Sequence, residues 1–481
     1  MPQSMQNKFR LVISDTGQIT KWIVTLVSLM ILASCARFRD YSPLTYSKDE
    51  ITKTFDAREN SIQTLNDYVK EAGYEGEWPP LQWGIEELMY AGIFYSPKIG
   101  LAVANRDYAS VEAKLVSLRP SNSVQIATEF HSREVTGEEP WGLGFSLSLP
   151  FISNQKKDVL SGKERLYIDA SELDLTNEIW VLHGSIRDTL IELSLVDQRR
   201  KLQQQKVKVG NDLVKLIENR VRLGYASEIE LNSRLLVYSE FQRTLETLNV
   251  DIAKLASELS TLVGLQSLVD TDLYLQFPDL SFEINDKGLE RYRDLALHNR
   301  MDLQRALVEF GIADADFKLS LIKQYPEFSI TPGYFWDQGD GIWAFASGLV
   351  LPADRGLVVS QAEGFRSLQR AKAEERQVSI LSDVGKNYEV MVANKLLYKK
   401  HRMNFRHAQA IFGATESKFA SGDLSRVELY DARLEFLKFA EQMIDHRKGL
   451  LDSLARLEDS CQTPFIYVYD APIDLQLKTR N

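Results

Sequence analysis

Two runs of this chain alternate apolar with small or polar positions at period two, and each starts at a Trp and stops at a Pro: Trp141-Gly-Leu-Gly-Phe-Ser-Leu-Ser-Leu-Pro150 and Trp343-Ala-Phe-Ala-Ser-Gly-Leu-Val-Leu-Pro352. In the first, Trp141, Leu143, Phe145, Leu147 and Leu149 fall on one face of an extended strand, and Gly142, Gly144, Ser146 and Ser148 on the other. Trp343, Phe345 and Leu349 repeat this arrangement in the second. A strand with lipid on one side and water on the other requires this pattern, and about ten residues cross a bilayer when tilted. Each run is preceded by another alternating segment. Val124, Ile126, Thr128 and Phe130 alternate with Gln125, Ala127 and Glu129, while Phe328, Ile330, Pro332, Tyr334 and Trp336 alternate with Glu327, Ser329, Thr331 and Gly333. Two β-hairpins are therefore predicted, at 122–150 and 326–352, the second closed by the turn Asp337-Gln-Gly-Asp-Gly341. That turn lacks the spacing and terminal Glu of a calcium loop. Pro332 lacks an N–H, so its strand needs a bulge or a gap in the ladder.

Between the hairpins the period changes to that of helices. Lys156 to Leu223 and Gly356 to Ala420 are rich in Leu, Ala, Glu, Lys, Arg and Gln and contain no proline. At ~1.5 Å per residue each helix reaches roughly 100 Å, which demands neighbours of similar length in a bundle or helical barrel. Each is followed by a glycine turn, at 223–227 and 421–425, where Gly224 and Gly422 suit a position just past a helix end and Ser227 and Ser425 suit the N-caps of returning helices. Half-length helices run to about Leu262 and Leu457 after these turns, and Trp83 to Leu118 and Leu289 to Tyr325 form half-length helices before the hairpins. The repeating unit is half helix, hairpin, long helix, tip turn, half helix. It occupies 83–265 and again 289–460, so an internal duplication is predicted, with 266–288 as a linker and 461–481 as a tail. Linker and tail are expected to form a belt where the half helices meet.

Composition adds limits. The chain has 481 residues, 44% apolar and 26% charged, and nowhere past the first 34 residues does an apolar run approach the length of a spanning helix, so further membrane crossings must be strands. At the N-terminus Lys8, Arg10 and Lys21 precede the apolar run Trp22 to Ala33 and then Leu32-Ala33-Ser34-Cys35. Residues 1–34 read as a signal peptide resembling that of bacterial lipoproteins, with Cys35 as the lipidated first residue of the mature chain and 35–82 as an N-terminal periplasmic segment. The other reading, an uncleaved anchor, meets an apolar run shorter than the ~20 residues needed to span. Ala36 after the cysteine favours outer-membrane sorting. Without residues 1–34 the charge is −12, from 54 basic and 66 acidic residues, so nucleic acid is not an expected partner. Cys461, the only other cysteine, has no intrachain partner once Cys35 carries lipid.

No catalytic constellation emerges. His131, His183, His298, His401, His407 and His446 include no HxxxH pair and read as solvated helix residues. There is no GxSxG and no phosphate-cradling glycine loop, so neither an enzyme nor a resident metal or cofactor is expected. Near the tips, Asp212, Glu218, Arg222 and Glu416 are candidates for a polar constriction, each with the alternative of being a solvated charge.

Over roughly residues 80 to 460 the order of elements and several motifs resemble the TolC-type outer-membrane efflux proteins. The most specific stretch is Ala296-Leu-His-Asn-Arg-Met-Asp-Leu-Gln-Arg-Ala306 followed by Gln324-Tyr-Pro-Glu-Phe-Ser-Ile-Thr-Pro-Gly-Tyr-Phe-Trp-Asp-Gln-Gly-Asp340, and Trp78-Pro-Pro-Leu-Gln-Trp83 and Tyr95-Ser-Pro-Lys-Ile99 are similar to the branch serving cobalt, zinc and cadmium export. Asp354-Arg-Gly356 departs from the Asn-containing turn of that branch. The resemblance implies a mixed α and β membrane protein: a homotrimer with four strands per chain in one twelve-stranded outer-membrane barrel, continued by a long periplasmic α-helical barrel. It also implies a periplasmic adaptor and an inner-membrane proton-driven pump as partners, beside outer-membrane lipids. The adaptor would dock at Gly224, Tyr225, Ala226, Ser227, Gly422, Asp423, Leu424 and Ser425. Cargo would be metal cations ahead of drugs or secreted protein, and a non-conducting lipoprotein scaffold is the alternative of a different class.

Overall fold

A computed structural model describes residues 47–49, 53, 62–78, 80, 82–130, 141–265, 274–275, 288–337, 340–351 and 354–464. The leader with Cys35, the first hairpin turn with His131, most of the linker and the tail beyond Pro464 lie outside the described residues. The chain divides into Met1–Ala57 and Arg58–Asn481, and every element below belongs to the second unit.

That unit runs α1 (Ile62–Glu71), β1 (Gln82–Trp83), α2 (Ile85–Tyr95), α3 (Pro97–Val116), β2 (Ser123–Phe130), β3 (Trp141–Pro150), α4 (Asn154–Arg222), α5 (Glu228–Val263), β4 (Tyr274–Leu275), α6 (Leu289–Asn299), α7 (Met301–Ile322), β5 (Glu327–Asp337), β6 (Asp340–Val350), α8 (Arg355–Ala420) and α9 (Arg426–Cys461). The long helices have 69 and 66 residues. Ser153 caps α4 by accepting from the N–H of Lys156. α8 is entered through Asp354 at φ 50°, a left-handed conformation that Asp and Asn tolerate best among residues with a Cβ.

Each half helix expected before a hairpin is in fact two helices. At the first break Pro97 cannot donate to the preceding turn and forces Ser96 into extended backbone, so α3 restarts with the proline in its first turn. The second break, at Arg300, has no proline. Arg300 is extended, its guanidinium bonds both carboxylate oxygens of Asp302 at 2.8 and 2.6 Å, and the freed N–H of Met301 donates to Oε1 of Gln462 at 2.6 Å.

α4 packs along α3 and α7 in its first half and along α5 and α9 in its second, while α8 packs along α7 and then α9. The helices thus form a row, α3–α4–α7–α8 on the strand side and α5–α4–α9–α8 on the tip side. Apolar burial concentrates around the middle of the long helices. One cluster joins α1, α2 and the C-terminal end of α5 to Leu175, Ile179, Leu182, Ile186 and Leu190 of α4. A second joins Tyr292 and Leu303 to Ile380, Val384 and Met391 of α8 and Leu450, Leu454, Leu457 and Cys461 of α9. Ile191, Leu195, Ile444 and Leu451 connect α4 to α9 between them. β1 pairs with β4 in parallel beside the first cluster. Outside these clusters, the edge helices α3, α5 and α8 expose Leu101, Tyr108, Leu236, Val378, Leu396 and Ile411.

Candidate functional site

Four antiparallel strands pair in the order β2–β3–β5–β6, leaving β2 and β6 as unpaired edges. Register fixes which residues share a face: Ile126 pairs with Phe145, Phe145 with Tyr334, and Tyr334 with Trp343. Val124 pairs with Leu147, and Pro332 with Phe345, in the adjacent row. On this face Leu143, Phe145, Leu147, Trp343, Phe345 and Leu349 are exposed, Phe345 at 76% and Trp343 at 66%. Trp141 stands opposite Phe130. The other face is built mostly of Gly142, Gly144, Ser146, Ser148, Gly333 and Gly348, so a strip of small residues backs the apolar surface. The pairing of β3 with β5 runs from Leu143–Trp336 to Ser146–Gly333 and resumes at Leu149–Ile330, skipping Pro332, which is the gap its missing N–H requires. Large residues on the small-residue face escape the alternation: Phe335 lies there over Gly144, with Ile342 paired beside it and Val350 further along β6.

At the other end of the long helices the two tips are built alike. The N–H of Tyr225 donates to Arg220 O at 2.7 Å and that of Gly224 to Val221 O at 2.9 Å; Asp423 donates to Lys418 O at 2.9 Å and Gly422 to Phe419 O at 3.0 Å. Gly224 and Gly422 have φ of 76° and 85°, the left-handed turn that closes a helix in this double bond pattern. Ser227 and Ser425 then cap α5 and α9, and Glu428 returns a bond to the Ser425 N–H at 2.7 Å. Their surfaces differ. Leu223, Tyr225 and Ile229 are exposed at the first tip, whereas the second presents Asp423, bonded by the Ser421 hydroxyl at 2.7 Å, beside exposed Ser425 and half-buried Leu424. Ala226 is half-buried.

The four constriction candidates all lie on α4 and α8 near the tips. Asp212 is half-buried, Glu218 and Glu416 are exposed, and Arg222 donates to Asn219 Oδ1 at 2.6 Å. The fold brings other charges together, several of them along the seam between the α4–α5 and α8–α9 hairpins. Arg199 meets Asp445 at 2.5 Å, Lys206 meets Glu441 at 2.5 Å, Lys448 meets Glu192, and nearer the tips Arg234 holds Asp431 through two bonds of 2.8 and 3.0 Å. At the waist Arg187, fully buried, bonds Glu458 at 2.7 Å and Asp459 at 3.1 and 2.9 Å. Burial opposes its charge, but these carboxylates and Asp188 overcome burial and raise its pKa. Apart from Asp188, none of these partners is visible in sequence, because each of the other pairs spans nearly two hundred positions or more.

The histidines also need correcting. His183 is not solvated: it is 8% exposed, its Nδ1 has no hydrogen-bond partner, and burial followed by the Arg187 charge lowers its pKa to about 4. His401 and His446 stack on each other across α8 and α9. Cys461 is buried, its thiol donates to Tyr292 O, and burial pushes its pKa up to about 12. Among the described residues no three His, Cys, Asp or Glu lie together as metal donors, and no helix is long and apolar enough to cross a membrane.

The fold has known counterparts. No family model matches the chain. It is 25% identical over 222 residues to the pyoverdine export outer membrane protein OpmQ of Pseudomonas putida, a match covering 45% of this chain and about half, 47%, of that relative. Among solved structures, the outer membrane protein VceC of Vibrio cholerae is 15% identical with a TM-score of 0.65, covering 79% of this chain and 96% of that one. CusC is 14% identical with a TM-score of 0.64, over 82% and 96%. The CmeC outer membrane channel of Campylobacter jejuni is 13% identical with a TM-score of 0.63, over 88% and 93%. The chain therefore has the fold of the TolC-type outer-membrane channels.

Proposed function

We propose that this protein is the outer-membrane duct of a tripartite efflux system, a passive channel through which solutes delivered by a pump and an adaptor leave the cell. The observation that carries the reading is the sheet: one exposed apolar face, one small-residue face, and two open edges. Unpaired edges in hydrocarbon are prohibitively costly, so a sheet that enters lipid must close with other copies. Three copies of four strands would make a twelve-stranded barrel. The helix row has the same two borders, α3 and α5 on one side and α8 on the other, and both expose apolar residues, which supports a helical barrel continuing from the strands.

Within this reading Leu143, Phe145, Leu147, Trp343, Phe345 and Leu349, with Trp141, face lipid; the tips dock the adaptor; Cys35 carries the lipid anchor; and the repeated order of elements reflects an internal duplication. A proton-driven inner-membrane pump would select the cargo, so the duct itself needs no ligand set. Metal cations are the proposed cargo, on the resemblance of residues 296–340 to the metal-export branch. Export of organic small molecules is the second reading, favoured by the identity to a protein named for pyoverdine export. Deletion of the gene separates them. Sensitivity to cobalt, zinc or cadmium salts, restored by the gene in trans, is the expected result; sensitivity confined to organic toxicants would transfer the assignment to the second reading.

A further inference from the structure

Below the waist, the α8–α9 hairpin is held by three successive layers. The first is the apolar cluster through Met391, Leu450 and Leu454, and the last is aromatic, with Phe436 set against Phe405 at 5.5 Å and Phe412 at 5.4 Å. Between them the layer is neither: His401 of α8 and His446 of α9 lie face to face, ring centroids 3.4 Å apart and planes inclined by 20°. Two imidazoles stack comfortably when both are neutral or when one is charged. Two imidazolium rings at this separation repel, and the half-buried setting screens them less than bulk water would.

Among the described residues, carboxylates near the pair are already engaged by cations. On α8 the flanking residues are Lys399, Lys400 and Arg402, all basic. On α9, Asp445 pairs with Arg199 of α4, Glu441 with Lys206 of α4, and Arg447 bonds Gln198 of α4 at 3.5 Å, while Lys448 takes Glu192 of α4. The acids near the pair are thus already matched to cations of the neighbouring helix. Burial first and then the His401 charge hold His446 below the ordinary histidine range, with Asp445 pulling weakly the other way.

We propose that His401 and His446 form an acid-released latch that closes the α8–α9 hairpin at neutral pH and loosens it when both rings are protonated. A histidine held below its ordinary value of 6.5 contributes stability above that pH, and the contribution is lost as pH falls through the depressed value. Loosening acts on the second tip, because Gly422 and Ser425 end the two arms that the latch joins. The contact lies within one chain, so it stands whatever solute the protein exports.

Hydrogen exchange on the intact full-length protein in detergent tests the latch, comparing pH of about 7.5 with about 5, corrected for intrinsic exchange, with α5 of the same sample as reference. Residues 395–410 and 440–450 should open by about tenfold relative to α5 in acid, the scale of two protonations coupled through one contact. The double variant His401→Asn with His446→Asn should lose that response while keeping its neutral-pH protection. Either single variant removes the second charge and serves if the double variant does not fold. Equal protection at both pH values in the native protein, an acid response that survives the substitutions, or parallel opening of α5 would each overturn the latch.

Discussion

Phe335 lies over Gly144 across the β3–β5 pair, so close that a Cβ on residue 144 would stand 2.0 Å from the ring's Cδ1. The ring occupies the small-residue face only because nothing projects from residue 144. Gly144→Val should therefore cost about 1–3 kcal/mol through forced displacement of the ring. Heat resistance of the assembled protein on gels measures it, and adding Phe335→Ala should restore most of the loss.

On the proposed reading the opposite face meets lipid. A charge at Phe145 or Trp343 would cost about 2–4 kcal/mol near the bilayer midplane and less toward its borders. Phe145→Asp and Trp343→Asp are expected to reduce the yield of membrane-assembled oligomer severely, while Ser146→Asp on the facing side should reduce it much less. Normal oligomer yield from both face variants would remove the lipid-facing assignment.

The waist carries the buried charges. Arg187→Met leaves the fully buried Glu458 without its cation, at a cost of about 3–5 kcal/mol, whereas Arg187→Met with Glu458→Met should recover part of it. His183, lowered to about 4, contributes stability above its ordinary 6.5 that is lost between pH 6.5 and 4. Thermal melts should fall across that window in the native protein and fall less steeply in His183→Asn.

At the tips, Gly224 and Gly422 are left-handed, and nothing stands within 4 Å of where a side chain would begin. Substitution by Ala thus strains only the backbone, by about 1–2 kcal/mol at each tip. If the tips dock an adaptor as proposed, Gly224→Ala with Gly422→Ala should leave the global melting temperature nearly unchanged and weaken cross-linking to that adaptor in cells. Undiminished cross-linking would reduce the glycines to helix-ending residues.

Much of this fold can be read from local pattern. The hairpins announce themselves because large and small residues alternate strictly between Trp141 and Pro150, and the tips because Gly224 and Gly422 stand at glycine turns between long proline-free runs. Pro332 even indicated where the ladder would break. The helix break at Ser96 is marked by the Ser-Pro pair, which the expectation of one helix from Trp83 to Leu118 passes over. The break at Arg300 had no such local mark, since it depends on Gln462 reaching the N–H of Met301 from 161 positions away. The seam pairs and the Arg187 cluster were illegible for the same reason: a charge on a long helix looks solvated until the partner helix is in place. Phe335 was hidden by the alternation itself, which assigns large residues to the lipid side.

Conductance of the purified, assembled protein in planar bilayers tests the duct most directly. Discrete, long-lived steps are expected, either from the intact chain or, if the helical tips close it at rest, after both tip turns are removed. A correctly assembled oligomer that gives no steps in either form would contradict a channel and leave a non-conducting envelope scaffold.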